Sequence, residues 1–168
     1  MGEVVNLAEF EPLAREWMTP DAYDYVAGGA WDELSLIDNE AAWRGYRLRP
    51  RVLVDVSTIE LGTTILGQPA ALPLAIAPMA AHGLAHPDAE TATARAAAAA
   101  GVPFCLSTMS SRSIEEVARA TATGSDGLGG SSPRWFQLYL QGDRGLSREL
   151  VERAAAAGYG ALLLTVDL

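Results

Sequence analysis

The chain has 168 residues, 49% hydrophobic and 20% charged, with a formal net charge of -9. That length suffices for one domain with its own core, and the acidic balance argues against nucleic acid or an anionic membrane as a partner. The single cysteine excludes an internal disulfide and offers no metal cluster.

The opening "MGEVVNLAEFEP" has an early acid and no long apolar run, so neither a signal peptide nor a membrane span is expected. Asn6 stands where a myristoylation signal carries Ser or Thr. The default expectation is a cytoplasmic protein. "NLAEFEPLAREW" places Leu7, Phe10, Leu13 and Ala14 on one helical face, with Asn6 as a possible N-cap. "TPDAYDYVAGGA" predicts a second helix, capped by Thr19, with Pro20 at its first position and its end at Gly28-Gly29. "DELSLIDNEAAWRGY" is a third helical stretch. "RLRPRVLVDVS" reads as an extended segment broken by Pro50, and "TTILGQPAALPL" as a hairpin around Gly67-Gln68.

From Leu72 the pattern changes to alternation. Four apolar runs, "LPLAIAP", "VPFCLST", "RWFQLYL" and "ALLLTV", are separated by three helical stretches. The first helix has Asp88 near its start and Gly101 after its end. The second carries Ser113 and Glu116 at capping-box spacing. The third, "SRELVERAAAAGYG", ends at Gly158. Strands recurring about every thirty residues with helices between them predict a parallel sheet with helical crossovers. Either a doubly wound open sheet or part of a (β/α)8 barrel satisfies that order. No G-x-G-x-x-G follows the first run, and "GLGG" at 127–130 lies in a polar loop, which reads as a linker rather than a phosphate cradle.

Strands of a parallel sheet are buried on both faces and should be almost wholly apolar. The exceptions are therefore informative: Ser107 and Thr108, Gln137 and Tyr139, Thr165 and Asp167, all near the C-terminal ends of their runs. Gln137 and Tyr139 are two apart and share a face, as do Thr165 and Asp167. Cys105, inside "VPFCLS", reads as a buried strand residue. The first run ends in "APMAA", where Pro78 breaks the strand and small residues allow a flat ligand to approach the backbone. An amide, hydroxyls and exposed backbone suit the edge of a heteroaromatic ring.

Six segments in order, "YDYVAGGAWDE", "RLRPRVLVDVS", "LPLAIAPMAAHGLAHPDAE", "LSTMSSRSIEEVA", "WFQLYLQGDR" and "LLLTVD", carry a resemblance through nearly the whole chain. Together they resemble the FMN-dependent α-hydroxy acid oxidase and dehydrogenase family, which includes glycolate, lactate and mandelate oxidases. The resemblance implies the N-terminal portion of a (β/α)8 barrel. Residues 72–168 would form four strands of it, and residues 1–71 an N-terminal helical segment with the hairpin. It implies FMN at the barrel mouth, bordered by the backbone of Pro78, Met79 and Ala80. Ser107, Gln137 and Thr165 would bond the ring edge. Tyr25 would bind the substrate carboxylate. Tyr139 would contact both flavin and substrate and stabilise developing charge, and Asp167 would orient a catalytic histidine. Met109 would line the substrate pocket. His86 resembles a structural histidine of the family, and for both His86 and His82 helix capping or loop contacts are expected. A small 2-hydroxy acid substrate is implied, and a homo-oligomer for the complete protein.

The loop "TATGSDGLGGSSP" is longer than the family leads one to expect. A full barrel needs roughly 250 residues, so the chain reads as the N-terminal half of such an oxidoreductase, expected to be inactive alone. The alternative is a non-catalytic half-barrel fragment or partner subunit. Another FMN barrel, such as an isopentenyl diphosphate isomerase relative, suits the "YDY" and "FQLY" tyrosines less well.

Overall fold

The computed structural model of the chain describes residues 4–122 and 132–167. They fall into two compact units, Met1–Ile59 and Glu60–Leu168. The hairpin falls in the second.

In the first unit, local signals open the first two helical stretches. The Asn6 side chain accepts from the Ala8 amide at 3.0 Å. That bond opens a 3-10 turn, Leu7–Glu9, which runs into α1 (Phe10–Trp17). Thr19 Oγ1 accepts from the Ala22 amide, Pro20 is the first residue of α2 (Pro20–Ala27), and the Gly28 amide donates to Asp24 at the helix end. α3 (Leu34–Ala41) continues into a 3-10 turn, Ala42–Gly45. The Tyr23 hydroxyl donates to Glu11 Oε1 at 2.7 Å, and the Arg15 guanidinium lies 5.1 Å from the Tyr23 ring centre, joining α1 to α2. The segment expected to be extended, 47–57, belongs to no strand or helix. Among the described residues of this unit only Ala22 is buried.

The second unit opens with the hairpin β1 (Thr63–Ile65) and β2 (Gln68–Ala70), paired antiparallel with Thr63 opposite Ala70. Its turn is Leu66-Gly67, with φ of 50° and 75°, one residue earlier than expected. A two-residue turn of the favoured hand needs both central residues left-handed, and Gln68 already belongs to the strand.

A three-stranded parallel sheet follows, in the order β3 (Phe104–Leu106), β4 (Arg134–Leu138), β5 (Ala161–Leu164). The run 72–78 was expected to be a fourth strand. It contributes one bridge instead, Ile76 opposite Phe104, with the Ile76 amide donating to Pro103 and the Cys105 amide to Ile76. Pro78, two residues on and facing the same edge, carries no N–H, and two residues back the Leu74 amide donates to the Leu72 carbonyl, so the ladder extends past that rung in neither direction.

The crossovers are α4 (Ala89–Ala100), α5 (Ile114–Ala122) and α6 (Arg144–Ala156). Gly101 closes α4 with φ 69°, and a Cβ there would lie 2.8 Å from that of Ala71. The capping box of α5 is complete: Ser113 Oγ accepts from the Glu116 amide, and Glu116 Oε2 accepts from the Ser113 amide. α6 starts three residues before the expected Ser147, because Asp143 Oδ1 accepts from the Gly145 amide at 2.7 Å. Gly158 follows the end of α6 with φ 80°. The glycine-rich stretch at 127–130 lies outside the described residues.

Register divides the sheet into two faces. Phe104, Leu106, Phe136 and Leu138 point to one and pack with Ala94, Ala97, Val117, Ala118 and Ala154 of the helices. Leu106, Phe136 and Val117 are no more than 1% exposed, and each such side chain contributes roughly 1.5–3 kcal/mol by leaving water. Cys105, Trp135, Gln137 and Leu163 point to the other face. Below it, at the strands' N-terminal ends, lies the hairpin: Trp135 Nε1 donates to Gln68 Oε1 at 2.8 Å. A Cβ on Gly160 would fall 1.9 Å from Gln68 Nε2, so any side chain there would displace the Gln68 amide from this position. With one end of that face covered by the hairpin, its open end is the C-terminal one, where the polar exceptions lie.

Candidate functional site: a polar row at the C-terminal strand ends

Three of the polar exceptions form one continuous row across the sheet. The Ser107 hydroxyl donates to Gln137 Oε1 at 3.1 Å, and Gln137 Nε2 donates to Thr165 Oγ1 at 2.6 Å. The Thr108 amide adds a second bond to Gln137 Oε1 at 3.2 Å. Ser107 and Gln137 are buried and Thr165 half-buried. They come together because each lies at the C-terminal end of its strand on the face away from the helices, Ser107 level with Gln137 in the parallel register and Thr165 one pleat beyond Leu163, the residue opposite Gln137.

Thr108 takes over where the β3 ladder ends. Its hydroxyl donates to the Gln137 carbonyl at 2.6 Å and accepts from the Tyr139 amide at 3.1 Å. Ser107 Oγ in turn accepts from the Met109 amide. On the other side the Thr165 amide donates to Leu138, one rung past β5. The segment after the first apolar run joins the same end, since the Ala81 amide donates to the Met109 carbonyl at 3.0 Å. Pro78 and Ala80 are half-buried, and Met79 is 55% exposed.

The remaining expected residues are placed differently. Tyr139 is half-buried directly after β4. Asp167 is exposed, and among the described residues no hydrogen bond ties it to the row. Tyr25 belongs to the first unit, on α2, where it is 62% exposed. His86 Nδ1 accepts from the Asp88 amide in the loop before α4, a loop contact as expected, whereas His82 Nδ1 lies 3.1 Å from Thr93 Oγ1 on α4 itself. Cys105 is 1% exposed, and burial pushes its thiol up to about 12.

Glu90 escaped the sequence reading. It is fully buried in the first turn of α4, on the face of Ala94 and Ala97. An acid at a core phase of an amphipathic helix was the available signal.

Counting donors shows what the row can still bind. Gln137 Oε1 is filled by Ser107 and Thr108. Its amide nitrogen has two hydrogens and spends one on Thr165. Thr165 Oγ1 accepts that bond and keeps its own hydrogen. The row therefore offers at least two donors beside each other, suited to the carbonyl oxygens and ring nitrogens along one edge of a planar heterocycle. FMN's ring system presents such acceptors, so the donor set fits it. A cavity of about 250 Å³ starts at the same end of β3, at Ser107 and Thr108, and runs towards Ser111, Arg112, Leu150 and Arg153 on the helix side. Its arginines are already engaged: Arg153 with Glu115 at 2.8 Å and Arg112 with the Pro87 carbonyl at 2.6 Å.

Known proteins resemble this chain. The L-lactate oxidase of a Nostoc species is 54% identical over 163 residues, covering 97% of this chain and 43% of that protein. Glycolate oxidase 1 of Zea mays is 45% identical over 167 residues, covering 99% of this chain and 43% of the relative. A crystal structure of mandelate oxidase superposes with a TM-score of 0.87 at 40% identity, covering 99% of this chain and 47% of that one. The chain thus spans less than half the length of the relatives it matches. Residues 14–168 match the family model described as FMN-dependent dehydrogenase. With the polar row, the parallel βα order and these likenesses in agreement, the chain belongs to the FMN-dependent dehydrogenase family.

Proposed function

We propose that these 168 residues are the N-terminal half of a (β/α)8 barrel that oxidises an (S)-2-hydroxy acid to the 2-oxo acid. In this reading residues 1–71 form the N-terminal segment and residues 72–168 the half-barrel. The observation that carries the reading is the Ser107–Gln137–Thr165 row with its leftover donors. FMN, when bound, supplies the acceptor for the two electrons that leave the substrate.

Each residue then has a task. Ser107, Gln137 and Thr165 hold the ring edge. The backbone of Pro78, Met79 and Ala80 forms a flat border beside it. Tyr139 reaches flavin and substrate from the end of β4, and its hydroxyl stabilises charge developing on the substrate oxygen. Tyr25 binds the substrate carboxylate, and Asp167 orients the histidine that takes the proton. That histidine is neither His82, whose Nδ1 meets Thr93 on α4, nor His86, whose Nδ1 accepts from the Asp88 amide; it comes from outside these 168 residues. The lactate, glycolate and mandelate oxidases among the relatives and solved structures support a small 2-hydroxy acid as substrate.

The test uses protein expressed from the full reading frame. Gln137→Leu keeps the approximate shape but strands its neighbours' bonds. A buried bond of this kind contributes roughly 1–3 kcal/mol, so FMN dissociation should rise about tenfold or more, read by flavin fluorescence, with far-UV circular dichroism unchanged. Unaltered FMN affinity overturns the assignment of the row. Parent protein whose flavin is reduced by none of lactate, glycolate or mandelate overturns the proposed reaction.

A further inference from the structure

Glu90 does something that helix packing does not require. Its carboxyl group is 0% exposed on a helix face otherwise filled by alanine, where an apolar side chain would pack without desolvating a polar group. Oε1 accepts two backbone N–H groups, from His82 at 3.0 Å and from Ser111 at 2.8 Å. These donors belong to different loops: His82 to the loop after the first apolar run, Ser111 to the loop after β3. The two loops also meet through Ala81 and Met109, and through the Gly83 amide, which donates to Ser111 Oγ at 3.0 Å. Ala81 sits between the flavin-bordering segment and His82, with φ 54°. That left-handed backbone is unfavourable for alanine and persists only where its surroundings over-determine it.

We propose that Glu90 is a positioning residue. One carboxyl oxygen clips the two mouth loops together and so holds the 78–81 backbone at the height that a ring lying on the polar row requires. This rests on the FMN reading of the row. The other oxygen, Oε2, meets no hydrogen-bond partner among the described residues. Glutamine can therefore replace the acid without breaking a bond, whereas leucine keeps the bulk and loses the acceptor.

The experiment compares parent, Glu90→Gln and Glu90→Leu in FMN-loaded protein from the full reading frame. It measures hydrogen exchange across 79–84 and 109–112, FMN dissociation, and the visible flavin band. Glu90→Leu should speed exchange in both loops and weaken FMN by about tenfold, the scale of one lost buried bond, and should shift the band. Glu90→Gln should stay within about twofold of the parent by the same scale. Should Glu90→Leu fail to fold, Glu90→Asp, one methylene too short to reach both donors, must show intermediate exchange. Parent-like behaviour of Glu90→Leu or Glu90→Asp, or equal damage in Glu90→Gln, overturns the inference. If Gln137→Leu weakens FMN while Glu90→Leu does not, the Glu90 inference alone falls. If the parent binds no FMN, the reading of the row falls and takes this inference with it.

Discussion

The two units of the chain use the same helix grammar and reach opposite degrees of burial. Three of the four tryptophans, Trp17, Trp31 and Trp43, lie in the first unit and are 79%, 100% and 77% exposed. The fourth, Trp135, lies in the second and is 5% exposed. Asn6 and Thr19 cap their helices with one side-chain acceptor each, as Ser113 does within its box. The difference is that the second unit sets helices against a sheet, so side chains from two layers bury one another. Helices of eight residues fall below the length that is stable by itself. Capping therefore decides where a helix begins, and layering decides how much that helix contributes to stability.

The sharpest way to break this contrast is to remove an aromatic ring from each unit. Phe136→Ala empties a site that is 1% exposed and should cost about 3–5 kcal/mol in denaturant unfolding. Phe10→Ala, at a position 55% exposed, should cost under about 0.5 kcal/mol. Equal losses would show that burial does not separate the units.

Caps sharpen the comparison at a smaller scale. Ser113→Ala removes a reciprocal box on a helix anchored to the core and should lower global stability by about 1 kcal/mol. Thr19→Ala removes an equivalent acceptor, and its effect should appear in helix content rather than in the main melting transition. A drop in that transition for Thr19→Ala would couple the units more tightly than the contrast allows.

Acid tests the bond between helices of the second unit. Glu115 on α5 meets Arg153 on α6 at 2.8 Å, and hydrogen bonding to that guanidinium holds its carboxyl at about 2 instead of the usual 4.5. Because the folded value is the lower one, the stabilisation is present above about pH 4.5 and is lost as pH falls towards 2. Both side chains are more than a third exposed, so solvent screening keeps the contribution below about 1 kcal/mol. Glu115→Gln should flatten the acid limb of the melting temperature between those values. An unchanged limb would assign the acid loss to other carboxyls.

The smallest effect has the opposite sign. Leu66 is 68% exposed and left-handed at the first turn position of the hairpin. Asparagine before glycine suits that turn, so Leu66→Asn should raise stability by about 0.5 kcal/mol. A loss would mean that the Leu66 side chain has a packing role.

Much of the second unit was legible because its signals are local or periodic. Ser113 with Glu116, Gly101 and Gly158 mark helix limits by their own chemistry, and Ser107, Gln137 and Thr165 stand out as polar residues in apolar runs. What was not legible depends on who is next to whom. The run at 72–78 has the composition of a strand, yet Pro78 and the turned-away Leu74 amide limit it to a single rung. Glu90 looks like an ordinary first-turn acid until the loops at His82 and Ser111 fold over it. Asp167 stands out as a polar residue at a strand end, yet no hydrogen bond among the described residues draws it to the row, and Tyr25 is singled out by resemblance alone.

Cys105 gives the protein an internal clock. It is the chain's one cysteine, it lies on the same face as the polar row, and its thiol is raised to about 12. At neutral pH the thiol is almost wholly protonated, and the thiolate is the reactive form. While the sheet holds, reagent cannot reach it. Modification by a thiol reagent must then wait for strands β3 and β4 to part, so its rate counts openings of the sheet beneath the row. A ligand seated on the row lengthens the interval between openings, and the delay can be read at a native residue without introducing a label site.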